Sequence, residues 1–310
     1  MSINNLNNLN NLKNLKYDII IYHNPCSDGV AAAWVVKHFI PTAELIPCFA
    51  GKTPSNDIQY FYGKKIIFVD ICPNKEYLME LKNLAEYITI LDHHITAYKN
   101  LENISEENIN YVFNNNLSGC MIAWNYFSNE EMPWFLSYIG DRDLWKWELP
   151  YSKEINTVLF EDDHTNFKGL SKLFDTPFDD NLYKSFVERG KILVEFKDKL
   201  IKTAMKSAIH SKYKNKKIWL YTCPPDILSE VGNALMDKNF KDNQKPDFAV
   251  CWRYNVMTHE YYISMRSNAI STDVSEMCKE LGGGGHRNAA GCTLSGNTIL
   301  RNFFIPFNEE

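Results

Sequence analysis

The chain has 310 residues, 45% of them hydrophobic, and a formal net charge of -5 at pH 7. This length and apolar content suffice for a sizeable core and favour two domains over one. The acidic balance gives no global attraction for a polyanion, which disfavours avid wrapping of long DNA or RNA and directs attention to a short partner held locally. Eight cysteines without a C-x-x-C pair, a start without a secretory h-region, and no apolar run near the roughly 20 residues of a membrane span imply a cytoplasmic, membrane-free protein with reduced thiols.

Residues 1–16 repeat Leu6, Leu9, Leu12 and Leu15 in an Asn background. Asparagine is a poor helix former and a three-residue period drifts round a helix, so a disordered tail is expected there. From Tyr17 the pattern changes to short β-branched runs ending in polar clusters: YDIIIYHNPCSDG, KKIIFVDICP and EYITILDHH. Helix-compatible stretches, GVAAAWVVKHF and NKEYLMELKNLAEY, separate them. Alternation of this kind predicts an α/β domain over 17–160 with a parallel sheet buried on both faces. Ligands of such sheets bind outside the carboxyl ends of the strands. His23, Asp28, Asp70 and Asp92 to His94 can therefore converge.

A further helix-like stretch, SGCMIAWNYF, leads to an apolar run that ends in Asp141 and Asp143. Residues 161–211 carry apolar positions near helical spacing, among them Leu182, Phe186, Leu193, Phe196 and Leu200, which predicts a helical linker. A second, smaller α/β domain is expected over 212–310, with strand-like IWLYTC, DFAVCWRYN and EYYISMRSN, the helical TDVSEMCKEL, and the run GGGGHRNAAG.

Carboxylates and imidazoles presented together suit Mn, Mg or other divalent ions. Two such ions sharing a carboxylate are the machinery of phosphoester hydrolysis. The glycine run permits close backbone approach to an anion, with His286 and Arg287 directly after it. Trp145, Trp147 and Tyr151 can stack on nucleobases or pack in a core, and Asp143 can support the site or pair with Arg142.

The set HNPCSDG, FVD, LDHH, IGDRD and GGGGHRNAAG, in this order, resembles the DHH phosphoesterase superfamily with a DHHA1 C-terminal domain, over about Asp18 to Leu294. The resemblance implies that His23 binds one ion and Asp28 the other, that Asp70 bridges them, and that His93 and Asp141 complete the second ion's shell. Asp92 would orient the histidines and His94 would face the scissile phosphate. Gly283, Gly284, Gly285 and His286 would hold a substrate phosphate, with Arg266 as a second grip. Where the family commonly has an Asp two residues before Asp28, this chain has Cys26, a further candidate ligand that would shift metal preference.

These features imply a metal-dependent phosphohydrolase of short oligoribonucleotides or dinucleotides. Its expected cofactor is two divalent ions, Mn first, with Mg or Zn as alternatives. The alternatives are a single-strand exonuclease of RecJ type and a non-catalytic nucleotide-binding protein. A homodimer is left open.

Overall fold

The computed structural model describes residues 2–3, 16–49, 51–102, 104–161, 165–237, 246–268, 272–298, 300 and 304–306. It divides into two compact units, Met1–Val194 and Glu195–Glu310. Most of the Asn/Leu-rich stretch expected as a tail lies outside the described residues. Ser2–Ile3, however, forms a short strand, β1, paired antiparallel with Val112 and Phe113.

The first unit is built on β2 (Ile19–His23), β3 (Glu44–Cys48), β4 (Lys65–Val69), β5 (Tyr87–Asp92) and β6 (Ile109–Phe113). These five strands pair in parallel in the order β6-β5-β4-β2-β3, with β1 on the outer edge of β6. Alternate residues feed two cores. Ile20, Tyr22, Ile67, Val69 and Leu91 face one side, against α1 (Ser27–Phe39), α4 (Gly119–Phe127) and α5 (Trp134–Asp143). Ile19, Ile21, Ile66, Phe68, Ile88 and Ile90 face the other, against α2 (Lys75–Leu81) and α3 (Ile95–Leu101). Burial on both faces explains why each strand reads as an unbroken β-branched run.

Strand order reverses between β2 and β4, since β3 lies on one side of β2 and β4 to β6 on the other. Helices entering and leaving opposite faces part company there and leave a crevice beyond the strand ends. His23 ends β2 and Asp70 follows β4, so two candidate ligands stand at that reversal.

The apolar run before Asp141 and Asp143 is the helix α5, not a strand end. The stretch expected as a linker begins on the last residue of α6 (Ser152–Glu161) and carries α7 (Phe167–Asp175) and the long α8 (Asp180–Lys206). Leu170, Leu173, Phe186 and Val187 are buried in the first unit's core, so the front half of that stretch belongs to the first unit, and the division falls inside α8.

The second unit holds a mixed sheet ordered β11-β12-β10-β9-β8-β7-β13. Its strands are β7 (Ile209–Tyr213), β8 (Lys216–Tyr221), β9 (Phe248–Asn255), β10 (Glu260–Arg266), β11 (Gly284–His286), β12 (Ala289–Ser295) and β13 (Ile305–Pro306), with α9 (Leu228–Asp237) and α10 (Val274–Glu280). Only β8 and β9 run parallel; the other pairs are antiparallel. No described helix is long and apolar enough to cross a membrane.

Candidate metal centre

Asp70 is the hub of the first unit's strand ends. It is buried and adopts a left-handed backbone, φ 57°. Aspartate tolerates that region better than most residues, although a side chain there ordinarily costs about 1–2 kcal/mol. His23 Nδ1 lies 3.3 Å from Oδ2 and His93 Nε2 lies 3.0 Å from Oδ1, so the two oxygens face two different histidines.

His93 is also close to two further acids, with Nε2 3.7 Å from Asp28 Oδ2 and 3.5 Å from Asp143 Oδ2. Two of the donor groups that result flank Asp70. Asp28, His93 and Asp143 form one, and His23, Cys26 and Asp70 the other, each with its ligand atoms within 4.8 Å of one another. Asp70 touches both groups through His93 and His23.

Asp28 is fully buried, and its carboxylate accepts from Gly119 N at 2.5 Å and Cys120 N at 3.0 Å. It thereby caps the amino end of α4, where the helix dipole favours an anion. Asp92 accepts from the backbone N of His93 at 2.7 Å and of His94 at 3.1 Å, and lies 2.6 Å from His94 Nδ1. A bond that short to a carboxylate places the proton on Nδ1 and fixes the ring's orientation.

The electrostatics are those of too many charges in too little water. Burial raises the Asp28 carboxyl, and the charges of Asp70 and Asp143 raise it further. Burial likewise lifts Asp143 above the ordinary range. Burial would raise Asp70 too, but its hydrogen bonds to His23 and His93 outweigh it and hold this acid well below the usual carboxylate range. Burial alone would lower His93; its bond to Asp70 and the charges of Asp143, Asp70 and Asp28 instead push it up to about 10. Burial pushes the Cys26 thiol up to about 11.

The residues fit divalent ions. Asp143 Oδ2 is buried and makes no hydrogen bond among the described residues, its nearest charged partner being His93 Nε2 at 3.5 Å, so this acid still has a lone pair to offer a cation. Buried aspartates beside imidazoles are a donor set for Mn or Zn as much as for Mg.

Asp141 does not join the cluster. On a helix, residues two apart point about 200° apart, so Asp141 and Asp143 cannot both reach it. Asp141 instead accepts from Ser152 Oγ, and from Glu148 N at 3.0 Å, bracing the loop that follows α5. Arg142, one partner weighed for Asp143, lies over the Phe160 ring at 3.6 Å.

No family model matches the chain. It is 30% identical over 298 residues to uncharacterized protein R106 of Acanthamoeba polyphaga mimivirus, covering 91% of this chain and 68% of that protein. The chain belongs to the R106 family.

Solved structures similar to this R106-family chain include the DHH domain of a member of the s1p family of ribosomal proteins, at 15% identity and TM-score 0.48, covering 89% of this chain and 82% of that one. RecJ from Thermus thermophilus in complex with Mn2+ aligns at 12% identity and TM-score 0.46, covering 89% of this chain and 49% of that one. The pGpG-specific phosphodiesterase PggH from Vibrio cholerae aligns at 13% identity and TM-score 0.36, covering 91% and 93%. The motifs HNPCSDG, FVD, LDHH and IGDRD stand in this order in the first unit, the first three at strand ends of its parallel sheet, and GGGGHRNAAG stands in the second.

Two glycines of this R106-family protein matter to the site and were not singled out from sequence. A Cβ on Gly119 would meet Asp70 Cβ at 2.6 Å, and a Cβ on Gly29 would meet His23 O at 2.2 Å. Both stand where a helix starts against a strand end, and the DG and SG pairs at those starts were the available signal.

In the second unit, the glycine run is partly a hairpin. Gly283 donates its amide to Cys278 O at 2.8 Å, and a Cβ on it would meet Gly291 O at 2.1 Å. Its amide is thus committed within the protein, not presented to an anion as expected. Gly285 has φ 140° and packs against β12, and His286 pairs with Ala289; Gly284 faces open space. Arg266 is held by Met265 O at 2.8 Å and Ser229 Oγ at 2.9 Å, and burial lowers its pKa.

Proposed function

We propose that this protein is a metal-dependent phosphohydrolase acting on short nucleotide phosphoesters, such as oligoribonucleotides of a few residues or dinucleotides. The observation that carries the reading is Asp70, whose two oxygens face His23 and His93 in two adjoining acid–histidine groups. Asp28, Asp70, His93 and Asp143 would hold one divalent ion, and His23 and Asp70, with Cys26, a second. When bound, such a pair of ions supplies an activated water and charge stabilisation for the attacking and leaving oxygens.

The chain's own groups do the positioning. Asp70 stays ionised and orients His23 and His93. Asp28 is fixed by the amides of Gly119 and Cys120 and keeps its place without substrate. His94, oriented by the 2.6 Å contact of its Nδ1 with Asp92, would face a phosphoryl oxygen of the substrate. In the second unit, Arg266 has donors beyond the two it uses, and a guanidinium grips a phosphate in bidentate fashion.

The test is hydrolysis of a panel after metal stripping: a five-nucleotide RNA, a long single-stranded DNA, a linear and a cyclic dinucleotide, adenosine 3′,5′-bisphosphate and pyrophosphate, each with Mn, Mg or Zn. Turnover of the short RNA or dinucleotides is the expected result. Preference for the long DNA, with a steep salt dependence, would make it an exonuclease instead. Tight binding with no turnover under any metal would make it a nucleotide-binding protein.

A further inference from the structure

We propose that Trp145, supported by Trp147, is a stacking platform for a nucleobase of the bound nucleotide. This deepens the nucleotide-phosphoester reading and rests on it.

The backbone speaks first. Trp145 N donates to Arg142 O and Lys146 N donates to Asp141 O, closing α5 with a pair of bonds that requires a left-handed residue at Trp145. Trp145 has φ 56°, and Trp147, two residues on, has φ 57°. Glycine is the usual occupant of such a position, because any Cβ there is strained. Two tryptophans are the least economical residues to place in it.

Packing does not account for them. Trp34, Trp124 and Trp134 belong to the first unit's core, whereas Trp145 is 37% exposed and lies outside every core cluster. The rings of Trp145 and Trp147 meet edge to face, with centroids 5.0 Å apart at 77°. Trp147 is half-buried, with Lys153 Nζ 5.9 Å from its ring centroid. In an edge-to-face pair, at least one face of Trp145 is left uncovered by its neighbour.

The loop is rigid where the platform needs it. Asp141 takes Glu148 N and Ser152 Oγ, Lys146 Nζ donates to Asn116 O at 3.1 Å, and Tyr138 OH donates to Pro150 O at 2.9 Å. This gives Asp141 a purpose: it positions the tryptophan loop while Asp143, on the opposite face of the same helix, serves the acid–histidine cluster. The Cα atoms of Trp145 and Asp143 are two peptide units apart, no more than about 7.6 Å. That separation is within the span of one nucleotide, so a base on Trp145 and a phosphate at the cluster can belong to the same nucleotide. Stacking reads any base, which suits substrates defined by length and not by order.

The experiment compares binding of adenosine 5′-monophosphate and ribose 5-phosphate to the full chain by calorimetry, in the wild type and in Trp145→Ala, Trp145→Phe and Trp145→Gly. The two probes share sugar and phosphate and differ in the base. Trp145→Ala should weaken the nucleotide about 5- to 150-fold, which is the span of about 1–3 kcal/mol per stacked base. Its affinity for ribose 5-phosphate should hold within twofold, and Trp145→Phe should recover most of the loss. Trp145→Gly should lose nucleotide affinity equally and yet melt no lower than wild type, because it relieves the left-handed strain.

Four results would overturn the proposal: no preference of the wild type for the nucleotide, unchanged nucleotide affinity in Trp145→Ala, parallel loss of both probes, or a lower Tm in Trp145→Gly. The binding readout is independent of turnover. A Trp145-dependent base preference in a protein that hydrolyses nothing would sink the enzymatic reading alone, and turnover without base preference would sink only the platform.

Discussion

His93 collects the negative charge of three aspartates, and its protonation is the price of holding them together without a cation. Its folded pKa of about 10 stands above the ordinary 6.5. The sign is that of a raised base: His93 stabilises the metal-free fold fully below about pH 6.5, and this is lost as pH rises towards 10. The Tm of the metal-stripped protein should therefore fall between those pH values. A ligating imidazole must be neutral, so ion uptake at pH 7 should expel protons, and Mn affinity should rise with pH. Calorimetry in buffers of different ionisation enthalpy reads the proton count directly; uptake that releases none would remove His93 from the ligand set. Asp92 acts one bond further out. Asp92→Asn should weaken metal affinity or activity about 10- to 100-fold by unlocking the His94 tautomer, as carboxylates behind metal-site histidines do.

Two helix starts press against the strand ends, and each presses through a glycine. Gly119→Ala would drive a methyl group into Asp70, and Gly29→Ala into the carbonyl of His23. The first neighbour is the buried Asp70 side chain and the second the backbone of His23, so both variants should lose activity at least tenfold while circular dichroism still reports a folded protein; retention of wild-type activity in either would show that the strand ends can yield. The sheet was legible in sequence because strands buried on both faces must be unbroken apolar runs, and runs ending in HNPCSDG, FVD and LDHH mark their own carboxyl ends. The strand β7, second from the edge of its sheet, was not, because only Ser211 and Tyr213 of its five residues are buried. The choice between Asp141 and Asp143 was hidden for a different reason. It depends on whether the run before them is a strand or a helix, and only the helix sends alternate residues to opposite sides. The glycine run was read as a backbone cradle for an anion, whereas close approach to β12 makes part of it a strand.

The molecule joins a doubly wound unit, with its acids at the strand-order reversal, to a second sheet with a buried arginine and a glycine hairpin. The division of labour on α5 ties the first unit's architecture to its chemistry, since one helix end supplies both an acid for the cluster and the brace of the loop beside it. Asp141→Asn should cost about 1–3 kcal/mol of stability, the usual consequence of disturbing a buried, hydrogen-bonded acid, and thermal unfolding would measure it. The decisive measurement is Mn stoichiometry and affinity, with turnover of the five-nucleotide RNA, for Asp143→Asn and Asp141→Asn side by side. Asp143→Asn should lose the ion it shares with Asp28 and His93 and lose turnover, while Asp141→Asn, though less stable, keeps its metal. Full metal occupancy and activity in Asp143→Asn, with loss of both in a folded Asp141→Asn, would contradict the site described here.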